Sequence, residues 1–110
     1  MENSVKVWLK NLLSGLNILY NDLQNKKTEF PYFAVKSTEF LTELENEIRE
    51  YIIQKPSEKR KLNSVLDKIE YMKELIQNMI ETIIKQDEQF YSFYVSTYGS
   101  VLVDISFMLF

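Results

Sequence analysis

Apolar side chains recur at steps of three and four residues along most of this chain, and only helices laid side by side can hide such stripes from water. The pattern is clearest in Leu62, Val65, Ile69, Met72, Ile76, Met79 and Ile83, which Leu66, Leu75 and Ile80 widen. Val5, Leu9, Leu12, Leu16, Leu19 and Leu23 repeat it near the N-terminus, with Trp8, Leu13 and Tyr20 beside them. Lys6, Lys10, Asn17 and Asn21 fall on the other face of that segment. A further stripe runs Ala34, Leu41, Leu44, Ile48, Tyr51 and Ile52, flanked by Phe33 and Phe40. A last one runs Phe90, Tyr94, Thr97 or Tyr98, Val101, Ile105 and Met108. Only two Gly and two Pro occur in 110 residues, so few breakers interrupt these runs.

Three breaks divide the pattern. Asn25-Lys26-Lys27-Thr28 ends the first run, and Phe30-Pro31 opens the second, since a first helical turn does not need the N–H that proline lacks. Ser37 or Thr38 offers an alternative start. Lys55-Pro56-Ser57 is the sharpest break, because proline disfavours helix at the residue before it. Asn3 or Ser4, Ser57 and Asp87 are the expected N-caps. The third break, Lys85 to Gln89, has no Gly or Pro, and the competing reading is one very long helix from Glu58 past Tyr98. Val101 to Phe110 is β-branched and aromatic enough for a strand, but strand partners are lacking. The expectation is an all-α, antiparallel up-down-up-down four-helix bundle in a single domain, with helices at about 4–26, 31–54, 58–85 and 88–108.

Composition removes several chemistries. The chain has no cysteine and no histidine. Disulfides, thiolate nucleophiles, imidazole bases and the usual zinc and di-iron ligand sets are therefore absent, and a reducing, cytoplasmic setting is expected. A net charge of -3 gives no electrostatic footprint for nucleic acid, and Lys59-Arg60-Lys61 reads as a solvated junction. Met1 to Leu13 does not read as a signal peptide. Gln89 to Phe110 is long enough to span a bilayer, but Asp104 and recurring Ser, Thr and Tyr argue against it, so no membrane is expected. Glu43, Glu47 and Glu50, with Glu39 and Glu45 nearby, lie opposite the apolar stripe and read as a solvated face, with Lys36, Arg49 and Lys55 in pairing range. Glu70/Lys73 and Glu81/Lys85 read as surface ion pairs. No catalytic residue, cofactor site or metal site is expected, and the chain reads as a non-enzyme.

One feature points to a partner. Tyr91, Phe93, Val95, Val103, Phe107, Leu109 and Phe110 exceed what the last helix needs for its own core stripe. Contiguous apolar patches mark interfaces, so this helix is the candidate contact for a second copy or another protein. The bland reading is a central helix buried on most sides. The alternative function is a small-molecule binder with an apolar cavity between helices and Tyr20, Tyr51, Tyr71 or Tyr94 as polar handles.

The order of breaks carries a resemblance. Lys55-Pro56, then Leu62 to Ile69-Glu70 leading into a long apolar helix, then Gln89-Phe90 before a helix with Tyr98 and Val101-Leu102, resembles the YppE-like family, as does the aromatic lead-in Phe30-Pro31-Tyr32-Phe33. The resemblance implies a small four-helix protein of low-GC Gram-positive bacteria. It departs from the family at Gln89, where a basic residue is expected, and at Tyr51 or Phe40, where a Trp is expected. It implies no activity and gives no residue a role. A protein-interaction or regulatory module, of immunity or inhibitor type among others, is the expected function.

Overall fold

The computed structural model describes all 110 residues, and four helices account for nearly all of them. They are α1 (Asn3–Gln24), α2 (Phe30–Gln54), α3 (Lys59–Ile84) and α4 (Glu88–Leu109), with a 3-10 turn, Pro56–Glu58, between α2 and α3. Each packs on its neighbour in sequence and α1 packs on α4, closing an antiparallel bundle of 45 × 23 × 20 Å. The short connections force this order, and the 26 residues of α3 suffice for about 39 Å of the long axis at 1.5 Å per residue. No strand forms at the C-terminus, and no continuous helix runs from Glu58 past Tyr98.

The expected stripes are the core. Twenty-four buried apolar side chains form one cluster, including Leu9, Leu12, Leu16 and Leu19 of α1, Leu41, Leu44 and Ile48 of α2, and Leu62 to Met79 of α3 at the predicted spacing. Ile83 and Phe90 are exceptions: Ile83 lies exposed in the last turn of α3 and Phe90 in the first turn of α4. Trp8 is also more exposed than its place beside the first stripe suggests.

The two connections without proline reverse by the same device. Lys27 N–H donates to Asp22 C=O at 2.8 Å and Lys26 N–H to Leu23 C=O at 3.2 Å, with Lys26 at φ 58°. Asp87 N–H donates to Thr82 C=O at 2.8 Å and Gln86 N–H to Ile83 C=O at 3.1 Å, with Gln86 at φ 57°. Both are Schellman closures of a helix, and both place a side chain in the left-handed position that glycine ordinarily fills. This is how the break after Lys85 occurs in a stretch with no Gly or Pro. Asp87 then caps α4, its carboxylate accepting from Phe90 N–H at 3.1 Å.

The other caps differ from expectation. Glu2, not Asn3 or Ser4, stands at the N-cap of α1 and makes no side-chain cap bond. Ser57 is absorbed into the 3-10 turn, and Glu58 precedes α3. Pro31 lies in the first turn of α2, so Ser37 and Thr38 start nothing. Ser37 is buried instead and accepts a hydrogen bond from the Tyr98 hydroxyl at 3.1 Å, across the diagonal of the bundle.

Tyr98 is the centre of an aromatic cluster. Tyr20 of α1 stacks on it with centroids 5.9 Å apart, and Phe33 of α2 meets it edge-on at 5.3 Å. Phe30 continues the cluster to Phe33 and to Tyr91. Gly99 makes room for Tyr20, since a Cβ there would overlap the Tyr20 phenol. Every buried side-chain nitrogen and oxygen has a hydrogen-bond partner.

Two outcomes follow from this packing. Gln86→Gly relieves a left-handed side chain and is expected to raise stability by about 1 kcal/mol, read as a higher urea midpoint at unchanged slope. Gly99→Ala is expected to cost about 1–2 kcal/mol by driving Tyr20 off Tyr98. In a Tyr20→Ala background the same change should gain about 1 kcal/mol, the helix preference of Ala over Gly, so a double-mutant cycle isolates the contact.

Candidate functional site

The bundle divides its charge unevenly. Helices α2 and α3 carry seven and nine charged residues, whereas α1 has only Lys6, Lys10 and Asp22, and α4 only Glu88 and Asp104. Because α1 and α4 are neighbours, one side of the molecule is nearly free of charge. Glu88 opens α4, and the Asp104 carboxylate sits 3.8 Å from Lys68 Nζ of α3.

The outer face of α4 carries four of the seven expected side chains: Phe107 is 81% exposed, Phe93 59%, Val103 51% and Phe110 45%. Phe107 is the most exposed large apolar side chain of the protein. The other three leave the exposed set. Val95 and Leu109 are buried, because they lie on the flank where α4 meets its neighbours. Tyr91 is half-buried against Phe30, and desolvation pushes its phenol up from the usual tyrosine range. Phe90 departs the other way: assigned to the core stripe, it is exposed, the third residue of α4. Phe93 packs edge-on against Tyr94 and Phe110 lies under Lys10, whose Nζ is 5.2 Å from the ring centroid. Asn17 of α1 with Val103, Ser106, Phe107 and Phe110 lines an open groove of about 430 Å³.

Sequence reasoning missed an exposed, uncharged strip along α1. Val7 and Ile18 are exposed on α1, among Asn11, Ser14 and Asn21, which are uncharged. A count of charges helix by helix is the signal that finds it.

The carboxylates make no site. Glu39, Glu43 and Glu50 are exposed, and no three acidic side chains converge to hold a metal ion. Lys36–Glu39 and Arg49–Glu45 pair within α2 at 3.3 Å, as helical spacing suggests. On α3 the expected pairs do not form. Lys73 reaches across to Glu45 of α2 at 3.3 Å in place of Glu70, and Lys85, the C-cap of α3, bonds the Glu81 carbonyl through its backbone N–H without pairing with the Glu81 carboxylate. An interhelix partner with both side chains largely covered outweighs a solvated neighbour on the same helix. Burial alone would raise the Glu45 carboxyl; Lys73 and Arg49 overcome it and hold the group below the usual glutamate value.

The tyrosines do not surround a chamber. Tyr51 is buried, with Glu58 beside it and burial together pushing its phenol up, while Tyr71 is exposed. Tyr20 is half-buried on Tyr98, and desolvation raises its phenol too. Burial raises Tyr98 far more, against the opposing hydrogen bond to Ser37. The principal concavities are open surface grooves, one of about 720 Å³ lined by Lys26, Thr82, Gln86, Asp87, Glu88 and Tyr91 among others. By length and composition α4 also meets the requirements of a membrane span, while its inner face forms one wall of the core.

The fold and this face define an all-α bundle with one side poor in charge. Comparison of the chain with protein-family models, curated proteins and solved structures finds no match.

The Glu45–Lys73 pair gives a pH signature. A carboxyl whose folded pKa is depressed stabilises the fold above its unfolded pKa, near 4.5, and that contribution is lost as pH falls through the lower folded value. Lys73→Met should therefore cost about 1 kcal/mol or less at pH 7, and the gap between variant and parent should narrow as pH falls below the unfolded value and close once it has passed the lower folded one, as followed by thermal melts across pH.

Proposed function

We propose that the chain is a non-enzymatic, cytoplasmic protein-interaction module, and that the outer face of α4 is its docking surface. The observation that carries the reading is the exposure of Phe93, Val103, Phe107 and Phe110 on a face with almost no charge. Water contact with three phenylalanine rings is unfavourable by roughly 25 cal/mol for each Å² of apolar area, and a partner that covers them recovers it. Aromatic side chains also dominate the energetics of protein interfaces. Charge on α2 and α3 keeps the opposite side solvated, so docking has one direction. The resemblance to YppE-like bundles belongs to the same proposal and assigns no residue a role. A regulatory partner of immunity or inhibitor type is consistent with a module that has no chemistry of its own.

A photo-reactive amino acid in place of Phe107 tests the reading in producing cells. A discrete protein adduct is expected from position 107 and none from Glu50, which is exposed on α2. No adduct from position 107, or equal labelling from both positions, would sink it.

A further inference from the structure

On the outer side of α4, six exposed residues follow one another at alternating steps of three and four: Phe93, Ser96, Ser100, Val103, Phe107 and Phe110. The mean step is that of a helix seam built to meet another helix. No member is charged. Size runs along the seam in order: apart from Phe93, the small serines lie in the N-terminal half and the bulky side chains in the C-terminal half.

We propose that the occupant of this face is a second copy of the chain, with the two α4 helices antiparallel about a two-fold axis near residues 101–102. This rests on the docking reading above and names its partner. In that register Phe107 of one copy faces Ser96 of the other, Val103 faces Ser100, and Phe93 faces Phe110. Each bulky side chain of the middle layers meets a small one, which fills space without overlap. Phe93 of the second copy comes over the groove that Phe107 and Phe110 form with Asn17. A parallel pairing stacks Phe107 on Phe107 and leaves serine opposite serine.

Charge agrees with the same direction. Lys10 lies over Phe110 at one end of the seam, with Lys6 one turn away on the same flank of α1. Glu88 lies exposed at the other end, next to the α1–α2 connection at Lys26. An antiparallel pair brings Glu88 of one copy to the Lys10 end of the other, twice per dimer. A parallel pair leaves both Glu88 side chains at one end and both Lys10 side chains at the other, so neither meets its opposite charge. The two-fold axis also keeps α1 of one copy on the same side as α1 of the other, so the lysines and the glutamates meet on one flank.

The area suits a weak dimer. The four apolar side chains expose on the order of 400 Å² per copy, taking about 200 Å² for a full aromatic ring. With the serines and the α1 rim, two copies bury about 1,000 Å², the lower bound for a specific interface. Micromolar self-association is the consequence.

Sedimentation equilibrium from about 1 µM to about 500 µM spans that range. The expected result is a shift from 13.2 kDa towards twice that mass, weakened about thirty-fold or more by Phe107→Glu, with helicity unchanged because the side chain is exposed. Phe93→Glu, at the far end of the seam, should have the same effect. The chain has no cysteine, so Gln89→Cys carries a spin label at a unique place. Two labels should lie about 35–40 Å apart in the antiparallel dimer, at 1.5 Å per residue, against near 10 Å in a parallel one. A strict monomer, a dimer indifferent to both glutamates, or a short label distance overturns the proposal. A monomer that still gives the position-107 adduct overturns the second copy and leaves the docking surface standing. A monomer that floats with phosphatidylcholine vesicles, and ceases to with Phe107→Glu, overturns it in favour of a lipid surface.

Discussion

One buried phenol fixes how the helices sit. Tyr98 is fully covered, so its hydroxyl must find a partner inside the protein, and Ser37 accepts from it across the bundle. That bond sets the height of α4 against α2. The Tyr98 ring then provides a face for Tyr20 and an edge contact for Phe33, so α1, α2 and α4 share one contact point. Gly99 is the companion condition. Without a side chain at that position, Tyr20 lies over α4 at a distance no Cβ would permit. Leucine and isoleucine layers supply most of the burial, but such layers tolerate sliding, and a directional hydrogen bond does not.

Which face of α4 points outward is a consequence of that anchor. The helix is apolar on nearly every side, so burial energy alone chooses its rotation weakly. With Tyr98 turned inward, Val95, Leu102, Ile105 and Leu109 follow into the core, and Phe93, Val103 and Phe107 are carried out. The exposed aromatics are therefore the residue left after the core has taken what it can hold. Charge elsewhere sharpens the contrast. Helices α2 and α3 hold the interhelix pair Glu45–Lys73 and most of the solvating side chains, and α1 contributes asparagine and serine. A face of this kind stays soluble only while it is small or covered.

The connections carry their own cost. Lys26 and Gln86 occupy left-handed backbone that favours glycine, yet each closes a helix with two well-formed hydrogen bonds. Asp87 ends one such closure and caps the next helix, so α3 hands over to α4 within three residues. So short a link holds the two helices side by side and leaves α4 no freedom to leave the bundle without opening that turn.

The three-four spacing of Leu, Ile, Val and Met determined the four helices, their lengths to within a few residues and most of the core, because helical period and amphipathicity are properties of neighbours in sequence. The absence of His and Cys likewise settled, before any geometry, which side chains are missing from every surface. The Asp87 cap was legible, but the caps of α1 and α3, the non-glycine turns and the exchange of Lys73 from Glu70 to Glu45 were not, since each turns on competition between partners of similar energy. For α4 the sequence named seven surplus side chains, and only the tertiary structure divided them, sending Val95 and Leu109 inside and Tyr91 against Phe30. An apolar helix without a clear polar stripe does not encode its own rotation. Contacts from residues far away in the chain, Ser37 and Tyr20 above all, decide it.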